Sequence, residues 1–216
     1  MARNLQGTGG AARVTDSVTT TTTKPKREPL SQERIAKTSL ELIDQIGLDE
    51  FSTRRLGAAL GCEAMAIYNH FPSKDALLDA VVDRLFREVV VPPKGPGWQA
   101  RVRGFAASYR ALAHAHPKAF PLLATRRFRT RARNLVEQIM SALLEEGLPP
   151  KSAAELFRVL SNYCNGAILD ELSGAFPPAE RDEYPNIQRV QQFLAPEHYD
   201  AMFDRGVSLL IAGFEK

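Results

Sequence analysis

Apolar residues recur at helical spacing through most of the chain, and breaks between the runs are marked by Gly, Pro and Ser. Ile35, Leu42, Ile43 and Ile46 fall on one face with Ser39. Ser31 precedes this run as an N-cap, Leu30 and Ile35 form a hydrophobic staple, and Gly47 can end it in a left-handed conformation. Ser52 or Thr53 caps a second short helix carrying Leu56, Ala59 and Leu60, and Gly61 stops it. A third helix is predicted from about Glu63 to Asn69. Pro72 cuts it, and a fourth starts at Ser73 with Leu77, Leu78, Val81, Val82, Leu85 and Phe86 as a wide apolar stripe. Pro92-Pro-Lys-Gly-Pro-Gly97 breaks the pattern and predicts a hinge. Beyond it, helical blocks are predicted at 98–115, 118–147, 151–173 and 197–214. Pro149-Pro150, a polar, proline-rich 174–186 and Pro196 separate them. No alternating strand pattern of any length occurs, so the fold class is all-α.

Residues 1–29 contain five consecutive threonines, Thr19 to Thr23, and few apolar side chains, a composition that predicts a disordered arm. The organisation read from the sequence is thus an arm (1–29), a first helical domain (30–91), a hinge (92–97) and a second helical domain (98–216).

The hydrophobic content of 44% is enough for a substantial core, and the net charge of +3 decides little. The most apolar stretch, Leu77 to Val91, is interrupted by Asp79, Asp83, Arg84, Arg87 and Glu88, which argues against a membrane span. The N-terminus has no apolar secretory core. Cys62 and Cys164 fit no metal spacing, and His114 and His116, two apart, do not share a helical face. A cytoplasmic setting with no metal and no cofactor is the expectation.

The second and third helices, joined by Gly61-Cys62-Glu63, form a helix-turn-helix, the unit that lays its second helix in the DNA major groove. Thr53-Arg-Arg-Leu-Gly-Ala-Ala-Leu-Gly-Cys62, Ile67-Tyr-Asn-His-Phe71, Ser73-Lys74 and Leu77-Leu78 resemble the DNA-binding domain of the tetracycline-repressor (TetR-type) family over residues 31–87. Glu63 departs from the capping Ser of many members. The resemblance implies that Tyr68 and Thr53 donate hydroxyls to phosphates. Lys74 and the amides at the start of the fourth helix would meet another phosphate. These contacts position without reading sequence. Reading falls to Arg54, Ala64, Met65, Ala66 and Asn69, with His70 either joining them or capping or bracing the fold. Arg54 suits guanine, and the small apolar side chains suit thymine methyls. Lys26 and Arg27 add phosphate or minor-groove contacts. Residues 24–91 hold ten Lys or Arg against eleven Asp or Glu, so the placement of charge must carry binding, with Asp44, Asp49, Glu50 and Asp79 facing away from DNA.

Leu156–Gly166 and Phe203–Lys216 are similar to the two dimer helices of the tetracycline-repressor branch, which implies a homodimer on a palindromic operator. Gly206, Ala212 and Gly213 would allow close helix approach. A small-molecule pocket is expected inside each subunit. Its candidates are Phe105, Tyr109, Phe120, Phe128, Met140, Tyr163 and Asn165, with Arg126 and Asp170 as charged directors; plain core is the competing reading for each aromatic. The polar drug contacts of that branch fall here on Val90 and Phe105, and its metal-binding histidine falls near Leu122 or Leu123. The expected effector is therefore aromatic or lipophilic and metal-free. Arg126–Arg133 holds five arginines in eight residues; it reads as a solvated helix face, against a second nucleic-acid patch or an anionic-ligand grip.

The function expected is a dimeric repressor released from DNA by a small molecule. The rivals are an activator or ligand-independent regulator with the same DNA-binding mode, and an enzyme using His114, His116, Asp170 or Cys164. No nucleophile–base–orienter set is visible for the last.

Overall fold

Three of the first four helices begin where a serine hydroxyl satisfies an otherwise orphaned backbone amide. In the computed structural model, which describes residues 29–95, 97–126, 133–174 and 184–215, Ser31 accepts from the Arg34 amide at 3.2 Å and opens α1 (Gln32–Ile46). Ser52 accepts from Arg55 at 3.3 Å and opens α2 (Thr53–Leu60). Ser73 accepts from Ala76 at 3.1 Å and opens α4 (Lys74–Glu88). Such caps contribute about 1 kcal/mol each. Between α2 and α4 lies α3 (Ala64–Tyr68), a single turn and a half that is anchored by the fully buried Ile67. It is shorter at both ends than the span predicted from the sequence.

The rest is also helical: α5 (Trp98–Ala115), α6 (Phe120–Arg126), α7 (Arg133–Glu145), α8 (Pro150–Ser173), α9 (Pro185–Val190) and α10 (Tyr199–Gly213). No strand occurs among the described residues. The stretch expected as one block over 118–147 contains two helices, α6 and α7, and 127–132 lies outside the described residues. Before α10, α9 and the 3₁₀ turns Gln191–Leu194 and Pro196–His198 were not anticipated. They bury no side chain, so no apolar periodicity announces them. The arm of residues 1–28, with Lys26 and Arg27, lies outside the described residues.

One hydrophobic core runs from the first four helices into the others without a break. The helix α4 packs on α1 and on α6, and α8 packs on α5, α7 and α10. Arg110 of α5 donates to both oxygens of Glu171 on α8 (2.8 and 2.6 Å) and to Asp200 on α10 (2.7 Å), tying three helices together.

The start of the stretch predicted as a hinge, and Val90 just before it, are held against α5. The Val90 amide donates to Ser108 Oγ at 2.8 Å, and Arg101 Nε donates to the Pro92 carbonyl at 3.1 Å. Pro92 sits so close to Gly104 that a Cβ there would stand 2.3 Å from its ring. No described helix is long and apolar enough to cross a membrane.

Candidate nucleic-acid interface and ligand cavity

The angle between α2 and α3 is set by two glycines. Gly61 ends α2 at φ 69° and ψ 35°, the left-handed region that a side chain disfavours. Gly57 is buried within α2 where the turn passes over it. A Cβ at this position would lie 2.7 Å from the Cys62 carbonyl oxygen and 3.3 Å from the Ala64 amide nitrogen. Backbone opposes it on both counts, so only glycine permits this crossing. Glu63 stands at the N-cap of α3 but makes no side-chain capping hydrogen bond.

With Ile67 and Phe71 buried, the opposite side of α3 is left to solvent. Met65 is 70% exposed and Tyr68 40% exposed. Arg54 and Asn69 are exposed as well, and Thr53, Ala64, Ala66 and His70 are partly covered. The sequence-predicted DNA contacts of residues 53–70 thus sit on α2, α3 and the turn after α3. His70 also serves the fold, because its carbonyl accepts from Gln32 Nε2 at 2.8 Å. Lys74 opens α4 as expected, and its Nζ donates to the Phe51 carbonyl at 3.0 Å while standing 5.6 Å from the centre of the Phe51 ring. This ammonium has three donors, so the contact leaves others for a phosphate.

The acids assigned to the side away from DNA have partners in the structure. Asp44 meets His116 at 2.7 Å, Asp79 meets Arg126 at 3.1 Å, and Glu50 pairs with Arg55 at 2.7 Å; Asp49 is exposed.

A cavity of about 340 Å³ lies among α4, α5, α7 and α8, within the size range of small-molecule sites. Phe86 comes from α4, and Phe105 and Tyr109 from α5. Leu135, Val136, Ile139 and Met140 come from α7, and Ala154, Phe157, Arg158, Ser161 and Cys164 from α8. Tyr109 stacks on Phe105 (centroids 5.9 Å apart), meets Phe120 edge-on (5.5 Å), and donates its hydroxyl to Asn165 Oδ1 at 2.7 Å. Ser161 donates to the Phe157 carbonyl at 2.6 Å. Burial pushes the Cys164 thiol up to about 12, so it stays neutral.

Of the sequence-predicted ligand residues, the cavity brings together Phe105, Tyr109 and Met140. Phe120 and Asn165 stand behind Tyr109 and hold it. Tyr163 turns to α10 instead: it packs on Phe203 (5.7 Å) and donates to the Phe203 carbonyl at 3.0 Å. Gly206 makes room for it, since a Cβ there would meet the Tyr163 hydroxyl. Asp170 is exposed on α8. Arg126 is held by α4 through Asp75 (2.6 Å) and Asp79 (3.1 Å). Phe128 lies outside the described residues, with most of the arginine run. The sequence reading missed Phe86, Phe157, Arg158, Ser161 and Cys164. Phe157, Ser161 and Cys164 do share a helical face, four and three residues apart, a signal that was present but does not separate a cavity wall from core.

The residues proposed for the enzyme rival are dispersed. His116 is clasped by Asp44 and Glu88, His114 lies 3.0 Å from Glu171, and Cys164 lines the cavity. No metal-ligating cluster occurs among the described residues.

Residues 35–81 match the family described as bacterial regulatory proteins, tetR family, and residues 91–216 match the tetracyclin repressor-like C-terminal domain. The class D tetracycline repressor protein of Escherichia coli is 31% identical over 196 residues, covering 86% of this chain and 89% of that protein. The class C protein of Escherichia coli is 26% identical over 200 residues, covering 87% and 91%. The crystal structure of the TetR family protein ActR of Streptomyces coelicolor in complex with actinorhodin superposes with a TM-score of 0.74 at 28% identity, covering 87% of this chain and 97% of that one. The chain belongs to the tetR family of bacterial regulatory proteins.

Proposed function

We propose that the chain is a ligand-responsive transcriptional repressor. As a homodimer it binds a palindromic operator through α2 and α3, and a small molecule entering the cavity releases it. The observation that carries this reading is the double role of α4. Its N-terminus follows the helix-turn-helix directly, and its far end supplies Phe86 to the cavity wall. A ligand pressing on Phe86 therefore acts on the element that positions α3.

Energetically, the ligand shifts the equilibrium only through tighter binding to a conformation whose two reading helices are wrongly spaced for the operator. Successive half-sites lie about 34–36 Å apart on one face of the duplex, so a small tilt of α4 in each subunit suffices to lose register. The known relatives support the two ends of this scheme, because several are repressors by name and ActR is crystallised in complex with actinorhodin. The apolar, aromatic lining supports a lipophilic or aromatic effector.

The dimer surface proposed is the outer face of α8 and α10. It exposes Val159, Met202 and Leu209, and Gly166 and Gly213 have open space around them. Gly206 does not belong to that face, since its space is filled by Tyr163 of the same chain.

The test is selection of bound duplexes from a random pool, followed by titration of the selected operator complex with aromatic compounds. A palindromic site, released by a compound that fails to release a Phe86→Ala protein, is the result expected. Operator affinity indifferent to every compound that occupies the cavity would point to a ligand-independent regulator instead.

A further inference from the structure

Phe86 brings the cavity wall to within two residues of the end of α4, and that end is tied down. Glu88, the last residue of the helix, lies 3.1 Å through Oε2 from His116 Nε2. The Nδ1 atom of the same ring lies 2.7 Å from Asp44 Oδ2 on α1. His116 is the C-cap of α5, so one imidazole joins three helices, with one nitrogen for α1 and one for α4. These two carboxylates are the charges that act on the ring. Lys118, just beyond it, gives its ammonium to the Gln45 carbonyl at 2.6 Å, and His114 turns instead to Glu171 on α8 at 3.0 Å.

The two halves of this bridge respond differently to loss of a proton. The doubly protonated ring donates to both carboxylates, whereas the neutral ring keeps a single N–H. Asp44 retains it. Its contact is the shorter, and its side chain is 25% exposed against 40% for Glu88. Its Oδ1 is buried without a hydrogen-bond partner among the described residues, so this carboxylate depends on the Nδ1 proton for its solvation. Nε2 then turns a lone pair toward Glu88, acceptor against acceptor, and Glu88 is free to go to water. Deprotonation therefore releases α4 and leaves α1 held.

Resting on the reading of the cavity as the effector site, we propose that His116 couples a proton to the effector: the charged ring holds the end of α4 in the operator-binding arrangement, and effector binding against Phe86 draws Glu88 away from it. Proton and effector are then antagonists. By linkage, raising the pH tightens effector binding, and effector binding expels a proton. Burial lowers the pKa of the ring, but the hydrogen bonds to Asp44 and Glu88 outweigh it and raise the pKa above 6.5. The effector-bound form, without Glu88, holds the proton less tightly, so effector affinity climbs with pH from about 6.5 upward.

Titration of the full-length protein with N-phenylnaphthylamine, a fluorescent aromatic that stays uncharged throughout, at about pH 6 and about pH 8.5 tests this. The wild type binds the probe roughly tenfold more tightly at the higher pH, the worth of one charge-assisted hydrogen bond. His116→Gln and Glu88→Ala, the latter at an exposed position, remove the dependence and bind at both pH values as tightly as the wild type does at the higher one. His114→Gln leaves the dependence in place.

Equal affinity of the wild type at the two pH values overturns the proposal and leaves the cavity reading intact. So does a dependence that survives in both His116→Gln and Glu88→Ala, or a loss of it that leaves both variants at the weaker, acid level. Failure of the probe to bind, or binding indifferent to Met140→Trp, which fills the cavity, takes down the cavity reading and the proposal together.

Discussion

His116 Nδ1 lies 2.7 Å from Asp44 Oδ2, which ties the end of α5 to the last turn of α1. The other ring nitrogen, Nε2, lies 3.1 Å from Glu88 Oε2 at the end of α4. Two carboxylates can both accept from one imidazole only when it carries both protons, so this geometry favours the charged ring. Burial opposes that charge, but the hydrogen bonds to Asp44 and Glu88 outweigh it and raise the pKa above the ordinary value of 6.5. Beside this clasp, Lys118 Nζ donates to the Gln45 carbonyl at 2.6 Å. The helix-turn-helix part is thus fastened to the cavity part at the last turns of α1 and α4.

The first expectation concerns pH. A raised folded-state pKa means that His116 contributes stability in full below its unfolded value. That contribution is lost as pH rises through the folded value, so the window lies above about 6.5. Thermal melts at a series of pH values should show the wild type losing stability relative to His116→Gln across that window. At the acid side of it, His116→Gln should be the less stable by about 2 kcal/mol, since two charge-assisted hydrogen bonds are weakened or lost. A difference between the two proteins that does not vary with pH would show that the ring is not charged in the native state.

Gly57→Ala should destabilise the protein by about 1–3 kcal/mol, the usual cost of forcing a methyl group into packed backbone. Because the clash is with Cys62 and Ala64, the damage falls on the α2–α3 angle. Operator affinity should fall by more than the loss of folded protein explains, which urea unfolding and an operator titration on the same samples would reveal.

Lys74→Ala should have two separable effects. Loss of the hydrogen bond to the Phe51 carbonyl should cost about 1 kcal/mol of stability. If the ammonium also meets a phosphate, the salt dependence of DNA binding should flatten by about one unit, alike on all sequences. Lost stability with the salt slope unchanged would confine Lys74 to bracing the fold.

Leu209 is 64% exposed on α10, on the face assigned to the dimer. Leu209→Glu places a charge there without touching the subunit core, so the chain should stay folded while sedimentation shows monomers. Operator affinity should drop roughly 100-fold, because each half-site is then bound without the help of a tethered second one.

What the sequence made legible was local. Ser31, Ser52 and Ser73 cap helices through atoms three residues away, and Gly61 closes α2 within one turn, so their neighbours in sequence suffice to identify them. The outward residues of α3, Met65 and Tyr68, were assigned through the family resemblance, and the burial of Ile67 and Phe71 leaves them to solvent. The cavity was only partly legible because its walls come from four helices. Nothing near Phe86 in sequence distinguishes a residue facing a void from one facing core. Tyr163 was expected in that lining, but it stands one position before the lining residue Cys164, a step that turns the side chain by about 100°, and Gly206, far along the chain, opens space on the other side. The partners of Arg126 were equally remote: Asp75 and Asp79 precede it by more than forty residues, and no local pattern joins them.

Phe86 gives the cavity wall an owner outside the effector half of the chain, with a practical consequence for anyone retuning this regulator as a biosensor. Substitutions at that side chain should alter leakiness and sensitivity together, since the same helix aims the reader of the operator. Leu135 and Val136, borne by α7, offer a quieter dial: there the spectrum of inducers can be changed while the background of the uninduced promoter stays put.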